Sequence, residues 1–371
     1  MKYYIISGEA SGDLHGSNLM KALLNLDLNA DFRFWGGDLM QAVGGTLVKH
    51  YKERSFMGFS EVLMNLSKIY KDISFCKLDI KKFNPDVVIF IDNSGFNLRI
   101  AKWAKKEGFR TNYYISPQVW ASRAKRVKAI KRDIDAMYVI LPFVKSFYDK
   151  HDYHNVTFVG HPLIDAIANR KQVSEHKFRD EHNLGDKPII ALLPGSRKQE
   201  ITKMLSVMLS LVNIYPDYQF VIAGAPSQDY SFYKSFIKAD NVKFVSNITY
   251  DLLSVSTAAL VTSGTATLET ALFKVPQVVC YKGSTVSYQI AKRIVTLKFI
   301  SLVNLVMDKE VVTELIQNDF NKKRLKQALD NILDPGNRKK LFLDYYELEK
   351  TLGGKGASKK TATLIYNSLQ S

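Results

Sequence analysis

The stretch Ala258-Ala259-Leu260-Val261-Thr262-Ser263-Gly264-Thr265-Ala266-Thr267-Leu268-Glu269 decides how the rest of the chain is read. Its opening apolar run suits a strand covered on both faces, as in a parallel sheet. Small residues follow at once, and the pattern then turns helical. A strand that passes directly into a helix leaves backbone N–H groups and roughly half a positive charge at the helix start, a natural receptor for phosphate. An ordinary Ser or Thr N-cap is the competing reading, because such caps also begin helices that bind nothing. Glu269, within the first two turns, is placed to accept from a ribose hydroxyl.

Three other strand ends carry loops of the same kind. Ser7-Gly8-Glu9-Ala10-Ser11-Gly12-Asp13 follows the first strand; it is neither GxGxxG nor a P-loop, and Ser11 or Asp13 reads as a cap. Glu9 has two readings, a functional acid or a helix-start carboxylate. Ile91-Asp92-Asn93-Ser94-Gly95-Phe96-Asn97 places Asp92 at the exit of an apolar strand. A carboxylate there can take a proton from a sugar hydroxyl, or can form an Asx-turn or cap. Leu193-Pro194-Gly195-Ser196-Arg197 brings a glycine, a helix start and an arginine together, which suits a phosphate clamp.

Between these loops, short apolar strands alternate with amphipathic helices along the chain, the signature of parallel α/β sheets. Strands are expected at Tyr3–Ser7, Phe32–Trp35, Val87–Asp92, Arg110–Ile115, Ala136–Leu141 and Val156–Val159. A second series follows at Ile189–Leu193, Gln219–Ala223, Lys243–Val245, Ala258–Thr262 and Gln277–Tyr281. Two doubly wound domains, joined near residues 162–187, account for the pattern. The expected divisions are 1–165, 166–345 and a helical tail, 346–371, packing back on the first domain. Ligands bind beyond the carboxyl ends of strands in such sheets, so the active site is expected in a cleft between the two domains.

Composition bounds the function. The chain has 371 residues, near-average hydrophobic content and a formal net charge of +16, which points to an anionic partner. The basic run from Arg123 to Arg132 has Ala124, Val127, Ile130 and Ile134 beneath it at helical spacing, and no nucleic-acid motif accompanies it. It reads as a solvated helix face. Two distant cysteines suggest neither a disulfide framework nor a zinc site. The start of the chain does not read as a signal peptide, and no run is long and apolar enough to span a bilayer. Asp133-Ile134-Asp135 spells a DxD, yet it enters a strand rather than leaving one. His151, Asp152 and His154 read as a surface turn. No metal and no cofactor are expected. Phe56–Leu66, rich in Met, Phe and Leu, and the basic, apolar Ser287–Val306 suit contact with lipid, although such stripes also serve as core.

Read together, the loops resemble the lipid-A-disaccharide synthase family. The matching pieces are SGEASGD (Ser7–Asp13), MGFSEVL (Met57–Leu63), IDNSGFN (Ile91–Asn97), SPQVWASR (Ser116–Arg123), LPFVKSFYDK (Leu141–Lys150), VGHPLID (Val159–Asp165), LLPGSR (Leu192–Arg197), TSGTATLE (Thr262–Glu269) and SLVNLV (Ser301–Val306), in order over nearly the whole chain. Gly95 stands where the family commonly has a second acid, and Ser122 replaces a family aromatic. The resemblance implies a GT-B fold, with two Rossmann-like domains facing across a cleft. It also implies inverting transfer from UDP-2,3-diacylglucosamine to 2,3-diacylglucosamine 1-phosphate, giving the β(1→6) disaccharide 1-phosphate and UDP.

The resemblance further assigns site residues. Asp92 is the general base, with Glu9 a second acid of the site. Arg197, Ser263, Gly264, Thr265, Glu269 and Asn304 belong to the UDP-sugar side. Met57, Phe59, Val62, Leu63 and Leu66 receive acyl chains. The implied setting is cytoplasmic, on the inner leaflet of the inner membrane, with no nucleic-acid partner; a homodimer is compatible with it. A UDP-sugar 2-epimerase of the same architecture and an anionic-membrane or nucleic-acid binding module are the rival readings.

Overall fold

Every strand of the first sheet runs parallel, in the spatial order β3-β2-β1-β4-β5-β6-β7. The strands are β1 (Lys2–Ile6), β2 (Asp31–Gly36), β3 (Thr46–His50), β4 (Val87–Ile91), β5 (Thr111–Tyr114), β6 (Ala136–Val139) and β7 (Val156–Phe158). A second parallel sheet has the order β10-β9-β8-β11-β12-β13. It comprises β8 (Ile189–Leu193), β9 (Gln219–Gly224), β10 (Val242–Ser246), β11 (Ser256–Thr262), β12 (Gln277–Tyr281) and β13 (Glu314–Ile316). This computed structural model describes residues 1–54, 66–122, 124–283 and 298–370.

The central strands are apolar throughout because helices cover both faces of a parallel sheet. All five residues of β4 and of β8 are buried. The two sheets have separate cores. Tyr3, Ile5, Phe34, Ile89 and Tyr114 lie in one, and Ile189, Ala191, Val221, Ala259 and Val261 in the other. Each is the Rossmann-like, doubly wound sheet expected from the alternating pattern. Two strands lay outside that expectation. β3 is an edge strand whose residues are only half-buried or exposed, and β13 has just three residues. Neither presents an apolar run long enough to read.

The chain divides into a first unit, Met1–Asp165 with Leu352–Ser371, and a second, Ala166–Thr351. A tail beginning at 346 would cut the helix Pro335–Thr351, whose Tyr345 and Leu348 are fully buried. The return to the first unit starts instead at Leu352. There the Leu352 carbonyl accepts the His161 N–H at 2.8 Å, and the Asp165 carboxylate accepts the Gly356 N–H at 2.7 Å. The final helix, Ala357–Gln370, adds Ala362 and Ile365 to the first core.

In both sheets the connection order reverses at one place, between β1 and β4 in the first and between β8 and β11 in the second. At such switch points the loops leave in opposite directions and open a crevice at the carboxyl edge. The four loops singled out from the sequence follow these four strands.

Candidate active site

The first switch point carries carboxylates. Asp92 follows β4 and Glu9 follows β1. The two loops touch at Gly8: the Asn93 side chain lies where a Cβ on Gly8 would go, so a larger residue there would displace it. Asp92 does not cap the next helix. The N-cap of Ser94–Lys106 is Asn93, which makes no side-chain cap bond, and among the described residues no side chain donates to the Asp92 carboxylate. Asp92 remains open to solvent on one side. The protein packed around its carboxyl removes hydration, and the Glu9 charge opposes a second negative charge. Together they push its pKa up from the ordinary 3.8 to about 6, against the Asn93 N–H, which pulls it down. A carboxylate so tuned is ionised at neutral pH and is a stronger base than an ordinary aspartate.

Its backbone is strained. Asp92 and Asn93 have φ of 46° and 41°, and Ile115, at the exit of neighbouring β5, has φ of 62°. Left-handed non-glycine residues cost on the order of 1 kcal/mol or more each, and a β-branched one is a true outlier. The strain gathers where β4 and β5 end.

Asp13, in the first loop, has a structural task. Its buried carboxylate accepts the N–H groups of Gly37 (2.8 Å), Leu39 (3.0 Å) and Met40 (3.0 Å). It therefore caps the helix Asp38–Val43 from outside, rather than its own helix. Glu9 is the N-cap residue of Ala10–Leu24 but makes no cap bond with its side chain, so its carboxylate is exposed and uncommitted among the described residues.

The second switch point carries donors. The helix Thr265–Leu272 begins with Gly264 as an N-cap that supplies no side-chain bond. Gly264 and Thr265 are exposed, and among the described residues the amides of Thr265 and Ala266 are left for an outside acceptor. Ser263 departs from its expected role. Its hydroxyl donates to the Ile300 carbonyl at 2.8 Å and its N–H to the Cys280 carbonyl at 3.1 Å, so it has no donor left for phosphate. Glu269 is half-buried and accepts the Tyr250 hydroxyl at 3.0 Å on Oε1. Burial raises its pKa, and the Tyr250 bond works against that rise. Its other oxygen is uncommitted among the described residues.

At the neighbouring loop, Gly195 has φ of 100° and carries the Glu200 carboxylate against its Cα, where a Cβ would clash. The same carboxylate accepts the Ser196 N–H at 3.3 Å. This helix start is thus served from within the protein, and the expectation that Ser196 opens an anion site is corrected. Arg197, the N-cap residue, is exposed and has no ion pair among the described residues.

Asn304 departs from the expected ligand role as well. It is fully buried. Its Nδ2 donates to the Val312 carbonyl (2.8 Å) and Glu314 Oε1 (2.9 Å), while its Oδ1 accepts the N–H groups of Val311 (2.8 Å) and Val312 (2.9 Å). Both donors and both acceptor positions are used. It braces the turn instead of offering an atom to a ligand. Glu314, which the sequence reading missed, completes that brace by accepting the N–H groups of Ile300 and Ser301, each at 2.9 Å. The one sign of it in the sequence is an acid embedded in the apolar run Val311–Ile316.

The DxD acids are committed elsewhere. Asp133 pairs with Arg132, and Asp135 pairs with Lys105 and accepts the Thr111 N–H at 2.9 Å. His154 pairs with Asp149 at the surface. Among the described residues no cluster of three or more His, Cys, Asp or Glu is arranged to hold a metal. The basic run forms the helix Val127–Asp133, with Val127 and Ile130 buried beneath exposed Lys128, Lys131 and Arg132. Met57, Phe59, Val62 and Leu63 lie outside the described residues, as do residues 287–297 of the second lipid segment and the side chain of Leu66.

Comparison with known proteins joins this chain to one family. The family model for Lipid-A-disaccharide synthetase matches residues 3–366. The chain belongs to the lipid-A-disaccharide synthase family. The lipid-A-disaccharide synthase of Syntrophus aciditrophicus is 38% identical over 368 residues, covering 97% of this chain and 96% of that one. That of Geobacter metallireducens is 37% identical over 375 residues, covering 98% and 96%. Among solved structures, a putative UDP-N-acetylglucosamine 2-epimerase from Listeria monocytogenes superposes with a TM-score of 0.70 at 14% identity, covering 100% of this chain and 96% of that one. That likeness is one of fold. Family membership over nearly the whole chain places the protein among glycosyltransferases and sets the epimerase reading aside.

Proposed function

We propose that the chain transfers a diacylglucosaminyl group from UDP-2,3-diacylglucosamine to the 6-hydroxyl of 2,3-diacylglucosamine 1-phosphate. Asp92 removes the hydroxyl proton, the oxygen bonds to C1 of the donor sugar, and the bond from C1 to the diphosphate breaks. UDP leaves with the electron pair, and a single displacement inverts C1. Arg197 and the free amides of Thr265 and Ala266 take up the charge on the departing diphosphate. Glu269 accepts from the ribose. Glu9 keeps Asp92 basic through its charge.

The observation that carries this reading is chemical complementarity between equivalent positions. The first switch point offers an unpartnered carboxylate with a raised pKa, and the second offers an uncapped helix start. A sugar transfer from a nucleotide donor needs one of each. Incubation with both lipids, followed by mass analysis, is expected to give disaccharide 1-phosphate and UDP in equal amounts. An epimerised nucleotide sugar formed without acceptor would overturn the assignment.

The acyl chains are assigned to Met57, Phe59, Val62, Leu63 and Leu66. The adjoining helix, Leu66–Phe83, supports a surface role on the inner leaflet: Tyr70, Phe75 and Leu78 are exposed among Lys68, Lys71 and Lys81. Apolar insertion and attraction to anionic lipid act together on such a face. No helix of the described residues is long and apolar enough to cross a membrane. Sedimentation with anionic vesicles that weakens in high salt is the expected result; a protein that stays in the supernatant at low salt contradicts it.

A further inference from the structure

The base in this reading is held by two residues that have no place in the chemistry itself. Asp92 leaves β4 in a left-handed conformation, so its carbonyl turns out of the sheet ladder in a place where the chain is largely buried. Two donors meet it there. The Asn97 amide donates to the Asp92 carbonyl at 2.9 Å, and also lies 3.2 Å from the Ile91 carbonyl and 3.4 Å from the Ile6 carbonyl. The Tyr113 hydroxyl donates to the same Asp92 carbonyl. Both side chains are fully buried. Asn97 comes from the first turn of the helix that follows, and Tyr113 from the adjacent strand β5. The ends of β1, β4 and β5 are thereby tied to one peptide group.

This arrangement has a directional consequence. The carbonyl of Asp92 and its side chain hang from the same Cα, so holding the peptide plane also holds the Cα–Cβ bond. Without the two donors, a left-handed aspartate would relax towards ordinary extended backbone, and its carboxylate would swing with it. A buried tyrosine hydroxyl and a buried asparagine both need partners. Here the tyrosine hydroxyl and the shortest of the asparagine's bonds both go to the one residue whose direction matters. We propose that Asn97 and Tyr113 are positioning residues that aim the Asp92 carboxylate at the acceptor hydroxyl.

The proposal rests on the reading of Asp92 as the base, so the experiment must separate the two. Full-length Asp92→Asn, Tyr113→Phe and Asn97→Leu, and the double variant Asp92→Asn with Tyr113→Phe, are compared in turnover, UDP binding and thermal unfolding. Tyr113→Phe removes one hydroxyl and keeps the ring, so it serves if Asn97→Leu does not fold. Turnover is expected to fall at least threefold in Tyr113→Phe and more than tenfold in Asn97→Leu, with the UDP dissociation constant within twofold of wild type. The acid limb of the pH–rate profile is expected to move in Tyr113→Phe, since a carboxylate aimed differently sits at a different distance from Glu9. In the Asp92→Asn background, Tyr113→Phe is expected to cost nothing further, because no carboxylate remains to be aimed.

Tyr113→Phe with wild-type turnover, beside an inactive Asp92→Asn, overturns the positioning role alone. The same factor lost in both backgrounds also overturns it, since that marks a general strut of the fold. Wild-type turnover in Asp92→Asn overturns the base assignment, and the positioning role falls with it.

Discussion

The two switch points share a topology and differ in chemistry. Each lies where a doubly wound sheet reverses, between its first and fourth strands. The first ends in Glu9 and Asp92, with strained backbone and a raised pKa. The second ends in Arg197 and the start of a helix that no side chain of the described residues caps. In the proposed reading, one accepts protons and the other accepts anions. The fold supplies the crevice in both cases, and a few loop residues decide what that crevice is for.

The sharpest way to break this comparison is to remove the carboxylate. Asp92→Asn is expected to lower turnover by about 10²–10⁴, the usual range for losing a general base, with UDP affinity unchanged by calorimetry. Equal losses in turnover and UDP affinity would mean that the two switch points are not divided in this way.

The second switch point can be tested at a single atom. Thr265→Pro removes the first free N–H while keeping a helix start, because proline is tolerated at that position. Gly264 (φ 158°, ψ −163°) lies outside the helical region that a following proline disfavours. UDP affinity is expected to fall roughly tenfold, the weight of one charge-assisted hydrogen bond, with turnover at saturating donor nearly retained. Unchanged UDP affinity would mean that this helix start takes no part in donor binding.

Glu9→Gln sharpens the first switch point. The Glu9 charge raises the pKa of Asp92, so its removal lowers that pKa and extends activity to more acidic pH. Wild-type turnover should fall as the pH drops through about 6, and the variant should hold on further. At pH 8, where Asp92 is ionised in both, the rates should differ little. A limb that stays in place would show that the charge of Glu9 does not reach Asp92.

The smallest effect concerns stability, and it sets the units apart again. His15 and His161 are buried in the first unit, and burial lowers their pKa values to about 4 and about 3; of the histidines of the second unit, His176 is exposed and His182 half-buried. Unfolding frees the buried pair to take up protons near pH 6.5. Their contribution is therefore present above pH 6.5 and is lost as the pH falls towards 4 and below, on the order of 1–2 kcal/mol per histidine by pH 5. In His161→Asn, urea midpoints at pH 7 and pH 5 should lie closer together than in the wild type. An equal gap would remove His161 from the account.

Much of the fold was legible because its signal is local. Val87–Ile91 and Ile189–Leu193 are continuous apolar runs, and each ends in a polar, turn-forming loop, so strand, turn and helix could be read residue by residue. Asp92 and Arg197 were singled out in the same way, as polar residues at strand ends. What could not be read was commitment. Ser263, Asn304 and Asp13 have the residue types of a ligand site, and each spends its hydrogen bonds on the protein. The edge strand β3 and the short β13 were invisible because neither has an apolar run of its own.

The sequence by itself determined that this is an α/β chain with two parallel sheets, where its polar loops fall, and which family it resembles, since these depend on spacing and residue type along a continuous segment. Only the tertiary structure decided which loops share a switch point and which polar atoms are left free for a ligand. Strand order is set by pairing between distant segments, as when Tyr3 pairs with both Phe32 and Val87. Hydrogen-bond partners are likewise distant: Ser263 is tied to Ile300, and Asp13 to the amides at Gly37, Leu39 and Met40. Whether a donor or a carboxylate is available for chemistry depends on what else has folded against it, and that information is not local to its own stretch of chain.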